Sequence, residues 1–473
     1  GTGLTPSGRE GLISINTKSY LVFQNLEIAN FSSNSNNTPV GIYIDGFSNN
    51  ILVKNCVIHD IKQSNNNDGA HGIAVFGTSG TPIYNVNFIN NEIYNCQLRW
   101  SEAFVLNGNV KDFLLDGNTV HHCDNIAFDF IGHENECSSC SGNGEEIDRA
   151  RDGIVRNNTA YNIDTKDNPV YNNERSAAGF YVDGGTNILF EGNTAHDCNL
   201  GIELASEHFG KPTDFITVRN NVIYKNHVAG VATGGYDSGT GAGGGSAENC
   251  KIINNTFYKN NNSSRNNDDW GAEIFLQNRN VNNVYKNNIV YAGSGRPRTL
   301  INGSNNSNNE FGNNLYYGST AGTENGVVVS TNPLFASEST FEFSLSISSP
   351  AINQGENLDS TFIGTVDFSG NTRINNATVD LGAYEYKSIV THTSYNEKVQ
   401  ALKLYPNPVD KGNLARINIE NIDALECKVY TLEGLLMAKQ TGSVISTTNL
   451  KVGVYIIHLS TANQKYSGLL VVK

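Results

Sequence analysis

Methionine occurs once, tryptophan twice and proline ten times in 473 residues, and charged residues make up only 16%. A chain so poor in Met and charge lacks the residues that favour helices. No run of 18 apolar residues is present, so nothing reads as a membrane-crossing helix. Positive charge is also short: 32 basic residues against 46 acidic ones leave a net charge of −14. That excludes a general nucleic-acid binder, which needs a basic face. No charged start and apolar h-region open the chain. It begins as though already inside a repeat, which reads as a processed or truncated start. The 8 Cys have mixed spacings and form no dense disulfide framework. In excess are Asn, 70 residues, and Gly, 47, both turn and left-handed residues.

Much of the Asn recurs in phase. An Asn, any residue, an apolar residue and then Tyr or His appear as Asn91–Tyr94, Asn118–His121, Asn158–Tyr161, Asn193–His196, Asn221–Tyr224, Asn255–Tyr258 and Asn288–Tyr291. Asn25–Ile28, Cys56–His59 and Asn314–Tyr317 read as degenerate members, with steps of 26 to 40 residues. A variable repeat of this length means a solenoid. A second strand alternates with the first: Gly41–Asp45, Gly72–Phe76, Ala103–Asn107, Ala127–Ile131, Gly179–Asp183, Gly201–Ala205 and Gly230–Gly234. Its second and fourth positions are nearly always apolar and face a core, while the third and fifth face out. Two or three strands per turn and no helical period describe an all-β, right-handed parallel β-helix. The Asn column fits a turn ladder whose amide tolerates the left-handed region. The Tyr/His column, running the length of the solenoid, reads as a structural stack.

The expected organisation is a β-helix over 1–318, its last irregular coils and C-terminal cap over 319–388, a linker over 389–399, and a small β-sandwich over 400–473. Val366–Asn371 and Val379–Tyr386 resemble the closing motif of bacterial right-handed β-helix proteins. In the tail, Leu404–Pro408, Val429–Gly434, Leu450–Tyr455 and the terminal Leu-Val-Val-Lys resemble the C-terminal sorting domain of type IX secretion in Bacteroidota. The resemblance implies export by the type IX machinery, to the medium or the cell surface.

Aligning the second strands on their inward pairs puts Tyr43, Ala74, Val105, Asp129, Tyr181, Glu203 and Ala232 in the third column. Asp45, Phe76, Asn107, Ile131, Asp183, Ala205 and Gly234 fill the fifth. Asp129, Asp183 and Glu203 thus fall on three consecutive turns, with Asp129 and Glu203 about 9.6 Å apart at Cα. Stacked carboxylates repel, which raises their pKa values. Just beyond the strands come His133, Glu134, Glu207, His208, Tyr236 and Asp237. Insertions at 135–152 and 166–176 would wall a groove, with Arg149, Arg151, Arg175 and Lys211 available to it. Cys137 and Cys140 read as a loop disulfide of an exported protein.

The segments Asp129–Glu134, Gly179–Gly185, Gly201–His208 and Gly234–Asp237 resemble one bacterial branch of the β-helix proteins that include polysaccharide lyases, glycoside hydrolases and phage-type depolymerases. The reading favoured is a glycoside hydrolase with Asp129, Asp183, Glu203, Glu207 and His208 as catalytic groups. His133, Glu134, Arg151, Arg175, Tyr181, Lys211, Tyr236 and Asp237 would then bind substrate, and no cofactor is required. An anionic algal polysaccharide is the expected substrate, and the protein is expected to be a monomer. A lyase is the alternative, with Asp129, Asp183 and Glu203 holding Ca²⁺ and Lys211, Arg151, His208 or Tyr236 as base. Against it, no Lys-Asn-Gly-Phe stretch of the Ca²⁺-dependent pectate lyase kind occurs. The third reading is a non-catalytic carbohydrate-binding surface protein.

Overall fold

The computed structural model describes residues 6–140, 147–263, 270–318, 328–375, 377–387, 400–418, 426–432, 434–460 and 465–473. They divide into two units, 1–387 and 388–473. The expected linker and the junction at 319–327 lie outside the described residues.

The first unit is a parallel β-helix. The coils contribute strands to three sheets, two short ones to the second sheet in the coils that hold Pro212–Asp214, Ser246–Glu248 and Asn280–Val281, and strands pair in parallel with their equivalents one coil on. The first sheet runs over ten strands, from Glu10–Asn16 to Thr299–Ile301. Three of them, Glu10–Asn16, Ile274–Leu276 and Thr299–Ile301, extend the row beyond the seven found in the repeat. Inward side chains from all three sheets merge into one core, rich in Ile, Val and Phe.

Asparagine holds the coils in register. Asn91, Asn118, Asn158, Asn193, Asn221, Asn255, Asn288 and Asn314 form one buried column. The Asn158 Oδ1 accepts from the Asn118 amide (2.8 Å) and Nδ2 (2.9 Å), while its own Nδ2 donates to the Leu115 carbonyl and to Asn193 Oδ1 (3.0 Å each). Each carboxamide is thereby satisfied by the coils above and below, which is what burial of so polar a group demands.

The left-handed conformation expected of these ladder residues belongs instead to their neighbours. Asn55, Asn90, Asn157, Asn220, Asn254, Asn287 and Asn313, one position earlier, have φ between 49° and 58°. Two more columns share it: Asn50, Asn85, Asp112, Asp152 and Asn187 in the second sheet, and Asp60, Asn95, His122, Asn162 and Asp197 in or just after the strands of the third. Three left-handed positions per coil, besides the ladder, account for the Asn excess. They also correct one repeat member. Asn25 has φ 56° and aligns with Asn55, and Ile28 pairs with Ile58, so the first repeat is Leu26–Ala29.

The expected end cap is a lateral strap. Val328–Val329 adds one strand to the third sheet, pairing with Asn314 and Leu315. The chain then turns back along the flank, where Phe335, Phe343, Leu345, Leu381 and Ala383 pack on Val222, Tyr258, Ile289 and Leu315. Arg219 donates to the Thr361 carbonyl (2.8 Å), Asn287 to that of Glu356 and Asn254 to that of Asp380 (2.9 Å each). The physical reason is the aromatic column: Tyr224, Tyr258 and Tyr291 offer an apolar flank that the strap buries. Before that point the column stacks on itself. His59, Tyr94, His121, Tyr161, His196 and Tyr224 lie 4.6–5.2 Å apart and within 13° of parallel. Their faces are spent on one another, leaving none for a sugar.

The second unit has a five-stranded sheet and a three-stranded one, mostly antiparallel. They enclose a core of Val409, Ala415, Cys427, Val429, Ile445, Ile457 and Leu470.

Replacing Asn158 by Ala removes four buried hydrogen bonds, leaving the Asn118 amide without its acceptor, and is expected to cost roughly 3 kcal/mol in urea unfolding. Asn162→Ala, at an exposed left-handed position (φ 54°), should cost only about 1 kcal/mol.

Candidate active site

The first sheet pairs Phe104 with Phe128, Phe128 with Phe180, Phe180 with Ile202 and Ile202 with Val231. Val105, Asp129, Tyr181, Glu203 and Ala232 therefore stand on successive rungs. Rungs are about 4.8 Å apart and alternate residues of a strand about 6.6 Å, so Asp183 lies about 8 Å diagonally from both Asp129 and Glu203 at Cα.

The outward face is covered rather than solvated: Asp129 is 2% exposed, Asp183 3%, Tyr181 4% and Glu203 8%. Ala74, Val105, Phe76, Val40 and Ile131 form an apolar patch on one side of the acids. Ala232, Phe275, Val228 and Ala272 form another on the other side, with Trp270 over Phe275. Loops leaving the strand ends fold over the face between them, and the Cys137–Cys140 disulfide ties one of these.

Six carboxyls face one another here. Glu207 donates its backbone amide to Asp183 Oδ1 (2.7 Å) and its carboxyl is hydrogen-bonded by Tyr236. Asn107 Nδ2 donates to Glu134 Oε2 (2.9 Å), and Gln277 Nε2 to Glu203 Oε1 (3.4 Å). Burial, with Glu134 beside it, pushes Glu102 up to about 8. Burial pushes Glu203 up to about 8 as well, against the Gln277 hydrogen bond. Asp129 is held well above the usual carboxylate range by burial and then by Glu102 and Asp183. Asp183 is raised by burial and then by Glu207, and Glu207 by burial against the bond from Tyr236. These groups titrate as a set, with fewer charges than carboxyls at neutral pH. Among the described residues, Asp129 Oδ1, the Tyr181 hydroxyl and His208 Nε2 are buried without a hydrogen-bond partner.

The fold thus brings together Asp129, Asp183, Glu203, Glu207, Glu134, Tyr181 and Tyr236. Other candidates stand elsewhere. Arg151 bonds Asn109 (2.9 Å) and the Ile147 and Arg149 carbonyls, because it opens a strand of the second sheet. Arg175 pairs with Asp164 (3.2 Å). His133 turns to the Pro212 carbonyl (3.3 Å) and is pushed down to about 3 by burial and the Arg149 charge. Lys211 lies near His133, and Asp237 caps its own turn through Gly239. The proposed Ca²⁺ trio does not converge: among the described residues no three His, Cys, Asp or Glu side chains are placed to hold a metal.

Two groups escape the sequence alignment. Gln277 occupies the fifth column one coil beyond Gly234, so carrying the alignment to Ile274–Leu276 would have found it. Glu102 sits at the corner before its strand, where period two does not hold, and nothing in the pattern marks it.

The molecule is a parallel β-helix with an export signal: residues 403–473 match the secretion system C-terminal sorting domain. That domain directs the chain, through type IX secretion, to the cell surface or the medium. The chain is 33% identical over 366 residues to the uncharacterized protein YwoF of Bacillus subtilis (strain 168), covering 72% of this chain and 74% of that one. It belongs to the YwoF family. Solved structures aligned to it include the mannuronan C-5 epimerase AlgE6 A-module of Azotobacter vinelandii (14% identity, TM-score 0.39, 67% of this chain and 91% of that one). The catalytic domain of a GH87 alpha-1,3-glucanase with nigerose also aligns (13%, TM-score 0.37, 69% and 63%). Scores this low carry nothing about chemistry.

A carboxyl raised in the folded state keeps its proton where the unfolded chain has lost it, so it stabilises at low pH and loses that contribution as pH rises. For Glu203 the window runs from about 4.5 to about 8. Glu203→Gln should therefore gain stability relative to wild type between pH 5 and pH 9, by up to about 4 kcal/mol, read from urea midpoints.

Proposed function

We propose that this is a secreted polysaccharide-degrading enzyme, a glycoside hydrolase working through the acid row of the first sheet. The observation that carries the reading is the placing of Glu203, held protonated to about pH 8, one rung and two residues from Asp183. Glycoside hydrolysis needs a protonated acid to meet the leaving oxygen and a carboxylate to activate water or attack carbon. Glu203 supplies the proton. Asp183, which accepts from the Glu207 backbone amide and is raised by the Glu207 charge, titrates together with it, and the ionised carboxylate of this pair is the base. Asp129 Oδ1 and the Tyr181 hydroxyl are buried beside this pair without a protein partner.

With Cα atoms about 8 Å apart, the two carboxyl groups have room for the wider spacing of inverting enzymes, about 6.5–9.5 Å. A lyase would need a base of ordinary or lowered pKa and a cation for the uronate. Burial and Glu207 raise Tyr236, which counts against it as that base, and the acids form no metal set among the described residues.

Glu203→Gln and Asp183→Asn should each cut kcat by at least ~100-fold on the polysaccharide cleaved. The products should carry reducing ends of inverted anomeric configuration, visible by proton NMR, without the ultraviolet absorbance of unsaturated ends. The kcat profile should fall on the alkaline side near pH 8, as Glu203 loses its proton. It should also fall on the acid side, as the base carboxylate of the Asp183–Glu207 pair takes up a proton.

A further inference from the structure

We propose that the acid row takes an uncharged glycan and rejects uronate and sulfated chains, a substrate class opposite in charge to the one expected from sequence. The inference rests on the hydrolase reading and adds the chemistry of the sugar. Its basis is which charges reach the cleft and which do not. Glu102, Asp129, Glu134, Asp183, Glu203 and Glu207 meet there, contributed by consecutive coils.

Among the described residues, the arginines near the acids are each bonded to another partner, and of these Arg9 still acts electrostatically on Glu102. Arg149 donates to the Gly184 carbonyl (2.7 Å) and to Asp214 (2.8 Å). Arg9 pairs with Glu136 (3.2 Å) and lies over Phe76, and Arg279 binds the Asp237, Ser238 and Gly239 carbonyls. Arg151 and Arg175 are engaged as described above. An anionic sugar entering this cleft would add one more negative charge to groups that already repel one another. In a partly dry cleft that repulsion exceeds what water would screen.

What the cleft does offer suits neutral sugars. The Asp129 Oδ1 and Tyr181 hydroxyl are unpartnered at 2% and 4% exposure, and both complement sugar hydroxyls. Trp100, two residues before Glu102, is 54% exposed and touches Tyr171 at 5.6 Å between ring centroids. Tyr171 in turn lies within the electrostatic reach of Glu102 and Glu207. This exposed indole provides an apolar platform on which the C–H face of a neutral pyranose packs.

The test is affinity electrophoresis of the full chain at pH 7 through gels cast with neutral polymers (glucans, mannan, xylan, agarose) or anionic ones (alginate, polygalacturonate, fucoidan). Reducing-end release is measured in parallel for wild type and Glu203→Gln. The expected result is retardation and cleavage by at least one neutral polymer, with kcat/KM ~100-fold or more above that for any anionic one. Trp100→Ala should weaken that retardation about tenfold. Preference for an anionic polymer, or retardation by no neutral one, overturns the proposal. Cleavage of alginate that disappears in Glu203→Gln would sink the substrate class and leave the acid row as the active site. Cleavage of a neutral polymer at wild-type rate by Glu203→Gln would sink the hydrolase reading and leave the substrate class standing.

Discussion

One interaction underlies the rest: the carboxamide of each ladder asparagine, bonded to the coil above and the coil below. A parallel sheet pairs any strand with any other of like pattern, and a slip of one residue would turn every inward side chain outward. Backbone bonds alone do not forbid that slip. A buried Asn that must find its partner one coil away does, because a misplaced amide would be left unsatisfied in the core. The side chains of the candidate site then inherit that register. Asp129, Tyr181 and Glu203 are 52 and 22 residues apart in sequence and adjacent in space.

The same burial that makes the ladder strong makes the acid row unusual. Carboxyls on the outer face of a β-helix ordinarily meet water and ionise. Here, loops and two apolar patches close over the face, so the charged forms are costly and the protons stay. Such a set is poorly suited to stability at alkaline pH and well suited to proton transfer, since donor and acceptor sit within one group of coupled sites. The strap along the third sheet serves a different need. It covers the tyrosines at the end of the aromatic stack, and its own buried Arg373 is paired with Glu385 (3.4 Å).

Much of this is legible in the sequence because a solenoid writes its register as a period. The in-phase Asn, the alternating Ile and Phe of the second strands, and the column Asp129, Tyr181, Glu203 are all visible without coordinates. What is not legible follows from things that carry no period. Asn25 imitates a ladder residue but occupies the left-handed position before it. Glu102 sits at a corner. Arg151 and Arg175 read as groove cations until the neighbours that bind them, Asn109 and Asp164, are placed beside them. The strap's course along the flank depends on which apolar surface is left exposed, and that is a property of the assembled solenoid.

The most direct measurement is a crystal structure of Glu203→Gln soaked with an oligosaccharide of the polymer it binds. The account predicts a sugar lying across the rungs of Asp129, Tyr181 and position 203. Its glycosidic oxygen should sit within hydrogen-bonding distance of the side-chain amide introduced at that position, and its hydroxyls on Asp129 Oδ1 and the Tyr181 hydroxyl. A sugar seated on another face, or coils paired one residue away from Phe128–Phe180–Ile202, would contradict it.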